Sequence, residues 1–321
     1  MKLLCYYLSQ KFAKVVAHRR QCNLSSCLGV YLIMLQLITP RQLADAIGVS
    51  ESSLKRWADA GKIHVSRTDG GHRRIALTEA VRFIRDTKST VVRPDLLGLP
   101  SNENSMDAAL TSLLVEGHGQ SAVAAIVSRF LSGTSIAAIC DGPLRAAMTH
   151  MGNMWRHTGD GVMIEHRATA ICIDALGTLK SLVSFSDGAA IAVGGAPSAD
   201  PYVVPSMMCA AALCEAGMRA VNLGAETPLD VLNQAAIAED AKLVWLSLSA
   251  PPPPELIAAM PAFIDNTLKR NAVLVIGGRY RETFGILPNA VRLAGTVGEL
   301  VAIAEECQLT RRAATANLAA L

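Results

Sequence analysis

The chain has 321 residues, 51% of them hydrophobic and 18% charged, with a formal net charge of +3. That length accommodates two or three domains with substantial cores, the composition excludes a disordered chain, and no charge-free apolar run approaches the ~20 residues of a membrane span. Lys+Arg against Asp+Glu runs 5 to 0 over residues 1–38, 11 to 6 over 39–93 and 14 to 21 over 94–321, so a basic head precedes an acidic body, and only the head gains from counterion release on a polyanion.

Residues 1–36 read as an extension outside the folded domains, non-native or disordered. Charge is interleaved through Lys11–Arg20 and the apolar run Cys27–Leu35 leads straight onward, which is not the order of a secretory signal; Met34 is the expected native start. Eight cysteines lie without metal-ligand spacing, which fits small buried hydrophobes in a reducing cytoplasm. Cys209 and Cys214 accordingly read as packing residues.

A first domain is expected over 37–88. Thr39 is suited to cap a short helix with Pro40 at its first position, Leu43, Ala44 and Ile47 form its apolar face, and Gly48 ends it. Ser50 caps a second helix in which Leu54 and Trp57 point inward, leaving Ser52, Ser53, Lys55 and Arg56 outward for bases and phosphates. Lys62–Ile75 then alternates like two short strands around Thr68-Asp69-Gly70-Gly71 and carries Arg67, His72, Arg73 and Arg74, suited to phosphate contact or the minor groove. In Ala44, Gly48, Val49, Ser50, Arg56, Trp57, Gly61 and the run Gly70-Gly71-His72-Arg73-Arg74, this stretch resembles the MerR-type winged helix-turn-helix; Ile75 stands where that family carries an aromatic. The resemblance implies that double-stranded operator DNA is the partner.

Residues 89–105, with two prolines, a glycine and a polar tail, read as a linker. From 106 to 187 the periodicity is helical and glycine-bearing turns separate four segments, predicting a four-helix bundle. From 188 to 309 apolar runs alternate with helical segments, predicting a Rossmann-like parallel sheet with ligand chemistry at the carboxyl ends of its strands; residues 310–321 read as a tail. The fold class is thus multidomain, α and α/β.

Trp155, followed after nine residues by Glu165-His166, resembles the upper cap over adenosylcobalamin in the CarH/LitR family of cobalamin-dependent photoreceptor repressors. The segment Ala216–Leu232, the serine strand around Ser247, and Gly277-Gly278 resemble the cobalamin-binding domain of corrinoid proteins. The decisive loop departs from that family. Where it has Asp/Glu-x-His-x-x-Gly, this chain has Asp200-Pro201-Tyr202-Val203-Val204-Pro205, so a phenol replaces the imidazole that would ligate cobalt, and proline replaces the glycine. Arg156 also stands where some relatives place a second histidine.

Tyr202 is open to three readings: a plug, with Met207 and Met208, for a vacated cavity; a haem ligand; or a partner of cobalamin despite the lost histidine. The first is preferred, so no cofactor is expected. Together the motifs predict a transcriptional regulator, a repressor, that acts as a homo-oligomer, dimer or tetramer, and takes its signal from a partner protein or from none, with no membrane association. The alternatives are a functional light-sensing repressor and a corrinoid carrier or methyltransferase-type protein. Catalysis is not expected, because Glu165 and His166 diverge on a helix and no nucleophile joins them.

Overall fold

The computed structural model describes residues 37–97, 106–154, 160–183, 185–186 and 188–319. The expectations for residues 1–36 and for Trp155 and Arg156 lie outside the described residues.

The head opens with β1 (Leu37–Ile38) and α1 (Pro40–Ala46). Thr39 and Gln42 form a reciprocal capping box at the start of α1, and Gly48 ends it at φ +70°, a left-handed conformation that glycine adopts without a Cβ clash. α2 (Glu51–Asp59) follows with Ser50 as its cap. β2 (Ser66–Arg67) and β3 (Arg73–Ala76) form an antiparallel hairpin, and β1 pairs with the other side of β3 to give the order β1-β3-β2. α3 (Leu77–Asp86) completes the head. Leu43, Leu54, Ile63, Ile75 and Phe83 are buried together, and Trp57 tilts against Phe83 with ring centroids 5.4 Å apart.

The linker begins later than the composition suggests. The N–H groups of Val92 and Arg93 both donate to the carbonyl of Ala46, at 2.8 and 3.1 Å, and Leu97 is fully buried at the end of a short 3₁₀ turn, Pro94–Leu97. Residues 91–97 therefore pack against α1 as part of the head. Pro94, one of the linker signals, opens this turn without preventing the burial of Leu97.

The helical block comprises α4 (Met106–Glu116), α5 (Gly119–Leu131), α6 (Ile136–Ile139), a π-helical segment Cys140–Leu144, α7 (Arg145–Met154) and α8 (Gly161–Leu182). The stretch read as one third helix is thus α6 and α7 joined through a π turn at Pro143, whose missing N–H cannot complete an ordinary helical ladder. α8 contacts α4, α5 and α7, and its small residues Ala168, Cys172 and Ala175 are fully buried.

The α/β unit follows as β4 (Ile191–Gly195), α9 (Val203–Glu215), β5 (Arg219–Asn222), α10 (Leu229–Ala238), β6 (Leu243–Ser247), α11 (Pro254–Leu268), β7 (Val273–Gly277), β8 (Val291–Ala294) and α12 (Val297–Ala319). All five strands are parallel, in the order β5-β4-β6-β7-β8. Side chains alternate between two cores: Val244, Leu246, Leu274 and Ile276 meet α10 and α11, whereas Leu243, Trp245 and Val275 meet α9 and α12. Because the order reverses between β4 and β6, a crevice is expected outside their carboxyl ends. The segment read as a tail from 310 continues α12 through Ala319; its alanine-rich sequence after Gly298 contains no glycine or proline to stop a helix.

α9 lies between the sheet and the helical block, with Leu213 and Cys214 in the sheet core and Val204, Met208, Ala211 and Ala212 in the core of the block. Asp141, in the π turn, accepts from the N–H groups of Val297 and Gly298 at 2.9 and 2.8 Å and so caps α12 from across the interface.

Candidate functional site

On the head, Leu54 is fully buried, which turns Ser52, Lys55 and Arg56 to solvent and leaves Ser53 half-buried. The Ser50 hydroxyl accepts from Ser53 N–H at 3.1 Å and lies 2.9 Å from the hydroxyls of Ser52 and Ser53; Arg56 Nη2 donates to Ser53 Oγ at 3.2 Å. The capping residue therefore also organises the polar face of α2. Lys55 pairs with Glu51 at 2.9 Å on the exposed surface. On the hairpin, Arg67 and His72 are exposed, and Arg74 is half-buried with Nη1 donating to the Arg73 carbonyl at 3.1 Å.

Arg73, expected to meet phosphate or the minor groove, is already engaged within the head. Its Nη2 donates to Asp59 Oδ1 at 2.6 Å, its side chain is only 24% exposed, and the pair ties the hairpin to the last turn of α2. The sequence singled out Arg73 on the hairpin but not Asp59, because the pairing spans 14 positions and has no local signal. Glu79 braces the base of the hairpin, accepting from His64 N–H at 2.6 Å and from Arg82. Burial opposes its charge, yet these bonds and the adjacent guanidinium hold its carboxyl below the usual range.

At the switch point between β4 and β6, Asp200 is 2% exposed. Its Oδ2 accepts from the N–H groups of Ser249 and Ala250, at 2.6 and 3.1 Å, and its Oδ1 from that of Tyr202 at 3.1 Å. The carboxylate thus ties the loop after β4 to the loop after β6. On the opposite flank, Ala199 N–H donates to Glu226 Oε2 at 2.8 Å and Glu226 N–H to the Asp200 carbonyl at 3.1 Å. Ala199 and Glu226 hold φ of +67° and +54°, sparsely populated conformations for non-glycine residues.

Tyr202 does not plug this crevice, as its residue is 51% exposed. Trp245 occupies the layer below instead. A Cβ on Gly194 would lie 2.1 Å from the indole ring, and Trp245 Nε1 donates to Ser206 Oγ at 3.1 Å, which in turn donates to Asn222 Oδ1 at 2.8 Å. Of the expected filler pair, Met208 is buried and Met207 partly so, both packed in the core shared with the helical block. Ser247 is buried opposite Gly277 in the ladder, and Gly278 holds φ +95° where a Cβ would lie 2.3 Å from the Leu248 carbonyl oxygen. Gly278 is therefore required by the close approach of the chain after β6, whereas a Cβ on Gly277 would lie 3.1 Å from the Ala294 carbonyl oxygen.

Of the expected cap, Trp155 lies outside the described residues. Glu165 is half-buried and accepts from Thr169 Oγ1 at 3.1 Å, while His166 is exposed with Nε2 3.5 Å from Glu165 Oε2. Among the described residues no cluster of three His, Cys, Asp or Glu is arranged to hold a metal ion. Burial pushes the thiols of Cys172 and Cys209 up to about 12 and that of Cys140 well above its ordinary value, with neighbouring Cys209 and Asp141 adding to the last. These cysteines pack as thiols rather than react as thiolates.

The architecture is that of a small basic head joined to a helical block and a five-stranded parallel α/β unit. Residues 39–75, within the head, match the model of the MerR family regulatory protein. No curated protein matches the sequence. Among solved structures, the chain is similar to a monomethylamine corrinoid protein of Methanosarcina barkeri (14% identity, 64% of this chain and 99% of that one, TM-score 0.47). It is also similar to a cobalamin-binding protein of Desulfitobacterium hafniense DCB-2 (14%, 64% and 97%, TM-score 0.31) and to the methanol:cobalamin methyltransferase complex MtaBC of Methanosarcina barkeri (13%, 80% and 92%, TM-score 0.32). Among the described residues no helix is long and apolar enough to cross a membrane.

Proposed function

We propose that the protein is a transcriptional repressor that reads double-stranded operator DNA as a symmetric homo-oligomer. Residues 37–88 act as the winged helix-turn-helix, 106–187 as a four-helix bundle, and 188–309 as a sheet of the cobalamin-binding type. The observation that carries the reading is the polar face of α2. Ser52, Lys55 and Arg56 stand exposed above a buried Leu54, beside a hairpin presenting Arg67 and His72, within the segment matched by the MerR model. A helix of this kind lies in the major groove while the hairpin's cations meet phosphates. One head covers a half-site, so symmetry in the operator mirrors symmetry in the protein.

The body's resemblance implies cobalamin, and the residues present do not fit its histidine-ligated form. At the ligand position Tyr202 offers a phenol, a poor donor to cobalt while protonated. The Asp200 carboxylate is engaged by three backbone N–H groups, and Trp245 fills the space over Gly194. Ser247, Gly277 and Gly278 then serve the fold at the strand ends. The body oligomerises the heads and takes its signal from a partner protein.

Selection of bound sequences from random duplex DNA tests the first part. Enrichment of a palindrome with two half-sites is expected, and enrichment of no sequence would sink the reading. For the second part, the wild type reconstituted with adenosylcobalamin is expected to lose its absorbance on gel filtration. Stoichiometric retention by the wild type, with Tyr202→His as the comparison, overturns the assignment of the crevice.

A further inference from the structure

Three parts of the chain converge on one carboxylate. Glu215 is the last residue of α9, and its Oε1 faces the guanidinium of Arg85 in the last turn of α3, on the head. Its Oε2 accepts from Ile136 N–H at 2.6 Å, where α6 begins in the helical block. Arg85 uses its remaining donor capacity on the same junction: Nη1 donates to the Phe130 carbonyl at 3.0 Å, and the guanidinium lies 4.2 Å over the Phe130 ring. The two side chains are 26% and 18% exposed, so the pair is shielded from the solvent screening that weakens surface ion pairs.

α3 also contacts α5 and α8. Apolar contacts hold surfaces together without fixing their angle, because burial is non-directional. A planar guanidinium bound on one side to a carboxylate, on another to a carbonyl, and stacked on a ring permits one arrangement only. A repressor that reads two half-sites at a set separation needs such a joint, since each head must point the same way from the oligomer.

Building on the DNA-binding reading above, we propose that Glu215 is a positioning residue for operator recognition: through Arg85 it holds the head in one orientation against the body. The same helix begins at Val203, directly after the crevice loop. It therefore joins the loop where a partner or ligand would be felt to the residue that orients the DNA-reading face.

The test uses the full chain with Glu215→Gln, which keeps an acceptor for Ile136 N–H but loses the charge facing Arg85. Arg85→Gln approaches the pair from the other side should the first variant fail to fold, and the double variant completes the cycle. Two measurements are read: half-site spacing in a random-library selection, and the small-angle scattering distance distribution of the free protein. The wild type is expected to select one spacing. Each single variant is expected to keep the half-site sequence while preference for that spacing falls about tenfold, equivalent to about 1.4 kcal/mol, and while the distance distribution broadens. The double variant is expected to be no worse than either single one. Variants that keep the wild-type spacing and scattering overturn the proposal. If the wild type enriches no sequence, the DNA-binding reading itself fails, and scattering alone decides whether Glu215 clamps the head.

Discussion

Arg56 and Arg73 are both arginines of a basic head, yet their surroundings assign them different work. Arg56 is exposed and held by a neutral hydroxyl, leaving its charge for a phosphate. Arg56→Ala is expected to weaken DNA binding and to lower the salt slope by about one, measured by fluorescence anisotropy across salt concentrations; an unchanged slope would show that no phosphate is met there. Arg73 is engaged by Asp59, which makes a sharper test available. Removing an acidic residue from a DNA-binding surface should strengthen binding if charge alone counts. Because Asp59 anchors the hairpin, Asp59→Ala is expected to weaken it, while the pair itself, with Asp59 62% exposed, contributes under about 1 kcal/mol to stability. Tighter binding by Asp59→Ala would contradict the anchoring role. At Gly278, the positive φ and the 2.3 Å approach to the Leu248 oxygen mean that Gly278→Ala should cost about 3 kcal/mol or more, readable in a urea melt.

Elements are joined by groups that one element lends to another. Asp141, supplied by the π turn at Pro143, caps α12, and Arg145 holds it at 2.6 Å. In return Glu215, supplied by α9, accepts from the start of α6. The helical block and the α/β unit are thus tied by reciprocal carboxylates at separate points, which is the polar complement of the apolar face that α9 shares with the block. Asp141→Ala is expected to lower stability by about 1–2 kcal/mol, seen as a lower midpoint in thermal unfolding. Retention of the wild-type midpoint would mean that solvent replaces the cap without loss.

For the whole molecule, α9 runs from the Asp200 loop at the carboxyl end of the sheet to Glu215, which meets the head. A signal received at the Asp200 loop has a rigid element to travel along. The proposed oligomer predicts a mass of two or four chains by light scattering, with the same stoichiometry on operator DNA; a monomer that binds a single half-site would limit the reading to the head alone.

What the sequence by itself determined is local. The cap at Thr39, the cap at Ser50, the glycine stop at Gly48, the hairpin turn and the strand-helix alternation are set by neighbours a few residues apart, and each is present in the structure. The tertiary structure alone decided the rest, because those contacts join residues far apart in the chain. Arg85 meets Glu215 across 130 positions, Asp141 meets α12 across 156 and 157, and Asp200 meets Ser249 across 49. Tyr202 shows the limit most plainly. Its identity argued that the histidine ligand was lost, but that the residue faces solvent, 51% exposed, was settled only by the tertiary packing of the loop after β4.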